Sequence, residues 1–219
     1  MKNIQEILQL YFVAGTQDCR HLGDNPADNL LSVLKQALEG GITCFQFRDK
    51  GKFSLENSPT EQRALAIKCR DLCRRYNDNV DLALEIEADG IHVGQSDTPV
   101  KTIRARTHKP LIIGWSVNRL DEAKIGEELF EIDYFGIGPI FPTQSKENPK
   151  PTLGMAFIQT LRKAGITKPL VAIGGVKLEH VKTLRKYGAD GIAVITAISQ
   201  AKDIKASTKA LKEASGCNH

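Results

Sequence analysis

RRYNDNVDLALEIEADGIHVGQSD, residues 74–97, is the stretch whose reading decides the fold. It holds one clear strand pattern, GIHVG from Gly90, and one helical pattern, VDLALEIEA, that starts just after Tyr76-Asn77. In a chain of alternating strands and helices, a strand should separate one helix from the next. Here a helical segment ending in CRRY meets the acidic turn NDN with no apolar run between them. Asp78 and Asp97 sit at the two turns, and each has a local reading as a helix cap, since Asp is favoured at that position.

Outward from this stretch the pattern is regular. Short apolar runs rich in β-branched and aromatic residues recur as LYFVAG near Leu10, TCFQF near Thr43, GIHVG near Gly90, LIIGWS near Leu111, DYFGIG near Asp133, PLVAIGG near Pro169 and GIAVI near Gly191. A segment of helical periodicity follows each, as in successive βα units. Asn25-Pro26 opens the first long helix, Leu30, Leu31, Leu34 and Leu38 form its apolar stripe, and Gly40-Gly41 stops it. Ser58 and Glu61 in SPTE have the spacing of a capping box. Later helices are expected after Asn118, Gly154 and Lys177, and a last one over about 201–214.

Near-continuous apolar strands alternating with helices predict a parallel sheet covered by helices. Arg48, Asp97, Ser116, Thr143, Gly175 and Thr196 each stand at or just past a strand end. Polar groups spread over many strand ends favour a closed (β/α)8 TIM barrel over an open sheet, which gathers them at one switch point. Seven strands are legible where closure needs eight, and strand number, tilt and stagger are linked in a barrel. The third strand is missing before Asn77. Residues belonging there are unrecorded, or about six are truly lost, or residues 76–81 serve as a poor strand. The first is expected, because a real loss breaks pairing on both neighbours; it places Asp78 near Asp97 at a barrel mouth, with a break in space between Tyr76 and Asn77.

The chain has 219 residues, 41% hydrophobic and 26% charged. One domain over residues 1–219 is expected. The start, MKNIQEILQL, is too polar for a signal peptide, and no apolar run approaches a membrane span, so a cytoplasmic protein is expected. The formal charge of +4 is scattered rather than gathered. That argues against nucleic acid and fits a small anionic ligand. Cys19, Cys44, Cys69, Cys73 and Cys217 contain no C-x-x-C pair, and Cys69 and Cys73, on one helical face, read as core packing rather than metal ligands. The sequence is compatible with a homo-oligomer and does not set the number of copies.

Several constellations carry chemistry. QFRDK places Gln46, Arg48 and Lys50 on one side of an extended segment, with Phe47 and Asp49 on the other. Arg binds phosphate bidentately and Lys adds a point charge, although a strand end that merely becomes solvated looks the same. Two carboxylates such as Asp78 and Asp97 at neighbouring strand ends suit Mg²⁺, which takes one or two protein carboxylates and completes its shell with water and phosphate. Residues 136–154, GIGPIFPTQSKENPKPTLG, form a long loop after a strand, of the kind that binds or covers ligands. Its Thr143, Ser145 and Lys146 offer hydroxyl and cationic donors to a phosphate. Gly174 and Gly175 let backbone amides approach a phosphate closely, and loops after the last two strands are the recurrent phosphate position in this architecture. His92, inside a strand pattern, reads as a satisfied core histidine.

QFRDK, NDNVDLA, ADGIHVGQSD, GWS, GIGPIFPTQSK, IGGV and ADGIAVITAIS stand in the order and spacing of the thiamine-phosphate synthase family, which the chain resembles from about Leu10 to Ser199. The resemblance implies a (β/α)8 barrel that joins hydroxymethylpyrimidine diphosphate to thiazole phosphate, releasing pyrophosphate, with Mg²⁺. It implies that residues 46–50 (Gln46, Phe47, Arg48, Asp49, Lys50) and Asn77 contact the pyrimidine diphosphate, Asp78 and Asp97 hold Mg²⁺, and Ser116 faces the pyrimidine. Thr143, Gln144, Ser145, Gly174, Gly175, Ile195 and Thr196 would hold the thiazole phosphate, with Lys146 meeting the diphosphate. Arg48, Lys50, Ser116 and Lys146 form the implied catalytic set. Ser145 stands for a usual threonine and Thr196 for a usual serine, each keeping its hydroxyl; the absent third strand is the larger departure. Two rivals remain: a thiazole tautomerase-like barrel enzyme, which needs neither QFRDK nor the Mg²⁺ carboxylates, and a non-catalytic barrel that binds a phosphate ligand.

Overall fold

The computed structural model describes residues 3–76, 89–106, 110–145 and 150–216, with the side chains of 74–76 left aside. All seven predicted strands form: β1 (Leu10–Ala14), β2 (Cys44–Phe47), β3 (Gly90–Val93), β4 (Ile112–Val117), β5 (Tyr134–Ile137), β6 (Leu170–Ile173) and β7 (Gly191–Val194). They make one curled, all-parallel sheet in the order β2-β1-β7-β6-β5-β4-β3. Among the described residues the expected closed eight-stranded barrel is therefore corrected to a TIM-like sheet of seven strands. Among the described residues β2 and β3 are its two edges and do not pair. The junction after Tyr76 and the segment through residue 88 lie outside the described residues.

Helices cover the outer face. They are α1 (Ile4–Ile7), α2 (Pro26–Gly40), α3 (Pro59–Tyr76), α4 (Val100–Ala105), α5 (Leu120–Glu127), α6 (Ala156–Lys163), α7 (Leu178–Lys186), α8 (Thr196–Ser199) and α9 (Ile204–Ser215). The punctuation of α2 works as the sequence indicates. Asn25 caps it by accepting the Asp28 amide, Pro26 fills the first turn, and Gly41 at φ 97° takes the left-handed position that ends it.

Alternation along the strands sorts side chains into two clusters. Leu10, Phe12, Ile113, Phe135, Ile137, Leu170 and Ile192 face the helices, with Phe45, Phe47 and Trp115 packed against them. Tyr11, Val13, Tyr134, Val171 and Ala193 line the inner face of the curl with Cys44, Ile112 and Ile173. Burial of such apolar side chains contributes roughly 25 cal/mol per Å² of apolar surface removed from water. Cys69 and Cys73 lie in the helix–sheet layer, as read from the sequence. Burial pushes the thiols of Cys19, Cys44, Cys69 and Cys73 up to about 12, so all four remain thiols at neutral pH. Among the described residues no helix is long and apolar enough to cross a membrane.

Candidate active site

The carboxyl ends of the strands share one edge of the sheet, and the segments that leave them are tied to one another. Gly15 is required there: a Cβ on it would stand 2.3 Å from the Arg48 carbonyl. The loop after β1 thus lies against the loop after β2. Gln17 Nε2 donates to that same carbonyl at 2.8 Å, and the Arg48 amide donates to Ala14 at 3.0 Å. The Arg48 backbone is fixed from both sides. Its half-buried side chain adjoins Asp18, whose carboxyl is raised above the usual range chiefly by burial, against the pull of the Gly15 amide and the Arg48 charge. Lys50 is exposed, and Gln46 lies beside Val13 on the inner face.

Two members of QFRDK do other work. Phe47 packs into the helix-facing layer. Asp49 is 5% exposed, and both its oxygens are taken. Oδ1 accepts from the Thr16 amide at 2.8 Å and the Thr16 hydroxyl at 2.5 Å; Oδ2 accepts from the Leu55 amide at 2.9 Å and Gln62 Nε2 at 3.2 Å. With four donors satisfied, Asp49 ties the loop after β1 to the long loop after β2 and to α3, and no oxygen is left to face a ligand.

After β3, Asp97 is exposed and accepts the Gly94 amide through Oδ2 at 2.7 Å. The N-cap of α4 is Pro99, so Asp97 closes the Gly94–Asp97 turn and does not cap a helix. One carboxylate oriented by a backbone amide at the strand-end edge is a hard-oxygen donor that fits Mg²⁺. Asn77, Asp78 and Lys146 lie outside the described residues. Among the described residues no three His, Cys, Asp or Glu gather as metal ligands.

Ser116 lies on the inner face of β4, beside Gly136 of β5. Its Oγ is 2.9 Å from His92 Nε2, and its carbonyl accepts Gln95 Nε2 at 2.7 Å. The loop after β5 begins at a cis Gly138-Pro139 bond, and its described residues are tied to neighbouring segments on both sides. Asn118 donates to the Gly138 carbonyl and receives Lys150 Nζ. Ile140 and Phe141 donate to the carbonyls of Ile173 and Gly174, and Leu153 and Gly154 donate to Pro139 and Ile140. Within it, Thr143 and Ser145 are half-buried, Gln144 is exposed, and the Ser145 amide donates to Thr143 Oγ1 at 3.2 Å. Gly174 and Gly175 have φ of 94° and 62°, and a Cβ on either would stand 2.6 or 2.5 Å from the 139–142 segment. Loop packing alone therefore requires both glycines. Ile195 and Thr196 follow β7, with Thr196 exposed at the start of α8.

Sequence reasoning places His92 in the core and does not single out Tyr134, Tyr11 and Gln95, the other residues linked to Ser116. Their signal was present in GWS and YFGIG: Gly114 and Gly136 stand inside strands, where glycine marks close approach by another group.

A curled parallel β/α sheet whose loops gather at the carboxyl ends of its strands defines the class as a TIM-like, enzyme-type α/β scaffold. Comparison with known proteins narrows the class. Residues 10–198 match the family model for thiamine monophosphate synthase. Thiamine-phosphate synthase of Haemophilus influenzae (strain ATCC 51907 / DSM 11121 / KW20 / Rd) is 81% identical, with 98% of each chain covered. That of Actinobacillus pleuropneumoniae serotype 7 (strain AP76) is 57% identical, covering 96% of this chain and all of the relative. Among solved structures, thiamine phosphate pyrophosphorylase from Pyrococcus furiosus superposes with a TM-score of 0.76 at 31% identity, covering 97% of this chain and 98% of that one. The chain belongs to the thiamine monophosphate synthase family. The H. influenzae alignment runs over 221 positions, whereas this chain has 219 residues, so the relative has residues within the matched stretch that lack a counterpart here.

Proposed function

We propose that the chain joins hydroxymethylpyrimidine diphosphate to thiazole phosphate, with loss of pyrophosphate from a pyrimidine that leaves as a stabilised cation and is trapped by the thiazole nitrogen. Thiamine-phosphate synthase activity itself follows from the family and from 81% identity over nearly the whole chain. That identity also disfavours the tautomerase and non-catalytic readings. The observation that supports the mechanism is that Arg48, Asp97, Ser116 and Thr143 each stand at or just past the carboxyl end of a strand, on four different strands of one parallel sheet.

Departure of pyrophosphate from a benzylic-type carbon builds negative charge on the leaving oxygens. Arg48, Lys50 and Lys146 stabilise that charge, which is worth more in the transition state than in the bound substrate. Asp97 and Asp78 would hold Mg²⁺, which supplies further charge neutralisation on the diphosphate. Gln46, Asn77 and Ser116 orient the pyrimidine; Thr143, Gln144, Ser145 and the backbone at Gly174, Gly175, Ile195 and Thr196 hold the thiazole phosphate. The attacking nitrogen carries a lone pair and needs no general base, so holding two substrates in line supplies much of the rate. Mixing the two substrates with the protein is expected to yield thiamine phosphate and pyrophosphate with Mg²⁺ present and far less after chelation. No product with Mg²⁺ defeats the proposal.

The same reading extends to the fold. Among the described residues β2 and β3 are the two edges of the sheet, and a closed eight-stranded barrel requires a further strand between them.

A further inference from the structure

We propose that His92 is a positioning residue that holds the Ser116 hydroxyl as a hydrogen-bond acceptor for an N–H of the pyrimidine. The inference rests on the reading of Ser116 as facing the pyrimidine.

A polar chain crosses the inner face of the curl. Tyr11 Oη and Tyr134 Oη are 3.3 Å apart, Tyr134 Oη lies 3.0 Å from His92 Nδ1, and His92 Nε2 lies 2.9 Å from Ser116 Oγ. The backbone is cut to admit it. His92 pairs with Gly114 across β3 and β4, and Gly114 pairs with Tyr134 across β4 and β5. A Cβ on Gly114 would stand 2.4 Å from His92 Nδ1 and 2.2 Å from Tyr134 Cζ; one on Gly136 would stand 2.7 Å from His92 Cε1. Two glycines in adjacent strands thus clear the space for one imidazole.

Proton direction along this chain follows from what each group can donate. Burial raises both phenols well above their ordinary range, so Tyr11 and Tyr134 keep their protons. With Tyr134 donating to Tyr11, its oxygen is left to accept Nδ1–H of His92. Nε2 is then a bare acceptor, and the Ser116 hydroxyl donates to it. The hydroxyl rotor is thereby locked, the Ser116 carbonyl is held by Gln95, and the Oγ lone pairs are what a ligand meets. A ring bearing an N–H donor is accepted; one presenting only a lone pair at that point meets repulsion.

Steady-state kinetics on Ser116→Ala, Tyr134→Phe, His92→Ala and the Ser116→Ala/Tyr134→Phe double variant test this, with KM read separately for each substrate. Ser116→Ala is expected to raise KM for the pyrimidine diphosphate about tenfold and Tyr134→Phe about threefold, with KM for the thiazole phosphate unchanged. In the double variant the tyrosine change is expected to add nothing, because its effect passes through Ser116. His92→Ala is expected to match Ser116→Ala; if that variant does not fold, the tyrosine cycle decides alone. Additive effects, or equal changes in both KM values, would overturn the proposal and leave the histidine as core filling. An unchanged pyrimidine KM in Ser116→Ala would instead sink the reading of Ser116 on which the proposal rests.

Discussion

Asp97→Asn is expected to abolish turnover almost as fully as Asp97→Ala, lowering kcat by at least about 10²-fold, the scale of removing one preorganised electrostatic contact to a developing charge. The pair separates two roles that a single variant would confuse. As a turn residue, Asp97 accepts the Gly94 amide through Oδ2, and asparagine keeps that bond. As a metal ligand, it contributes a negative charge that asparagine lacks. Neither change touches Thr143, Ser145 or Gly175, so thiazole phosphate should bind as before. Single-turnover rates across a Mg²⁺ titration, with calorimetric binding of thiazole phosphate alongside, check both halves. Asparagine at position 97 with near-normal turnover would reduce Asp97 to a residue of the Gly94–Asp97 turn.

That test is needed because charge type in a sequence does not reveal what a carboxylate is bonded to. Asp49 and Asp97 both follow strands and both looked able to serve a ligand. One has every oxygen satisfied inside the fold; the other is exposed with one oxygen held by an amide. The strands themselves were legible, since parallel strands covered on both faces read as unbroken apolar runs, and the α2 caps follow from local chemistry. The same property hid which face each residue takes. Continuous apolar runs carry no period of two, so Cys44 inside the curl and Trp115 against the helices were indistinguishable beforehand. His92 reads as a core histidine because it lies inside a strand pattern, and its partners, Tyr134 and Ser116, come from two other strands. Pairing register, not composition, brings them together. Gly174 and Gly175 read from the sequence as a close approach to phosphate or as ordinary strand-exit turn chemistry, and their contacts with the 139–142 segment already demand them. Closure of the sheet was doubtful from the junction after Tyr76, and the described residues leave β2 and β3 as edges.

Asp49→Ala is expected to destabilise the protein by about 3–5 kcal/mol, since it strips a buried anion from two backbone amides, a hydroxyl and a side-chain amide at once. For a chain of this length that corresponds to a fall in Tm of roughly 10 °C. Asp49→Asn should recover little. An amide side chain offers one accepting oxygen, which can serve either Thr16 or the Leu55–Gln62 pair, and turns an NH₂ toward donors on the other side. Because Asp49 joins the loop after β1 to the loop after β2, its loss also releases the segment carrying Arg48 and Lys50. KM for the pyrimidine diphosphate should therefore rise while KM for thiazole phosphate, bound by other loops, stays near its original value. Thermal unfolding and the two KM values read these effects independently. A stable Asp49→Ala protein with a raised pyrimidine KM would instead make Asp49 a direct ligand contact, against the four bonds that now enclose it.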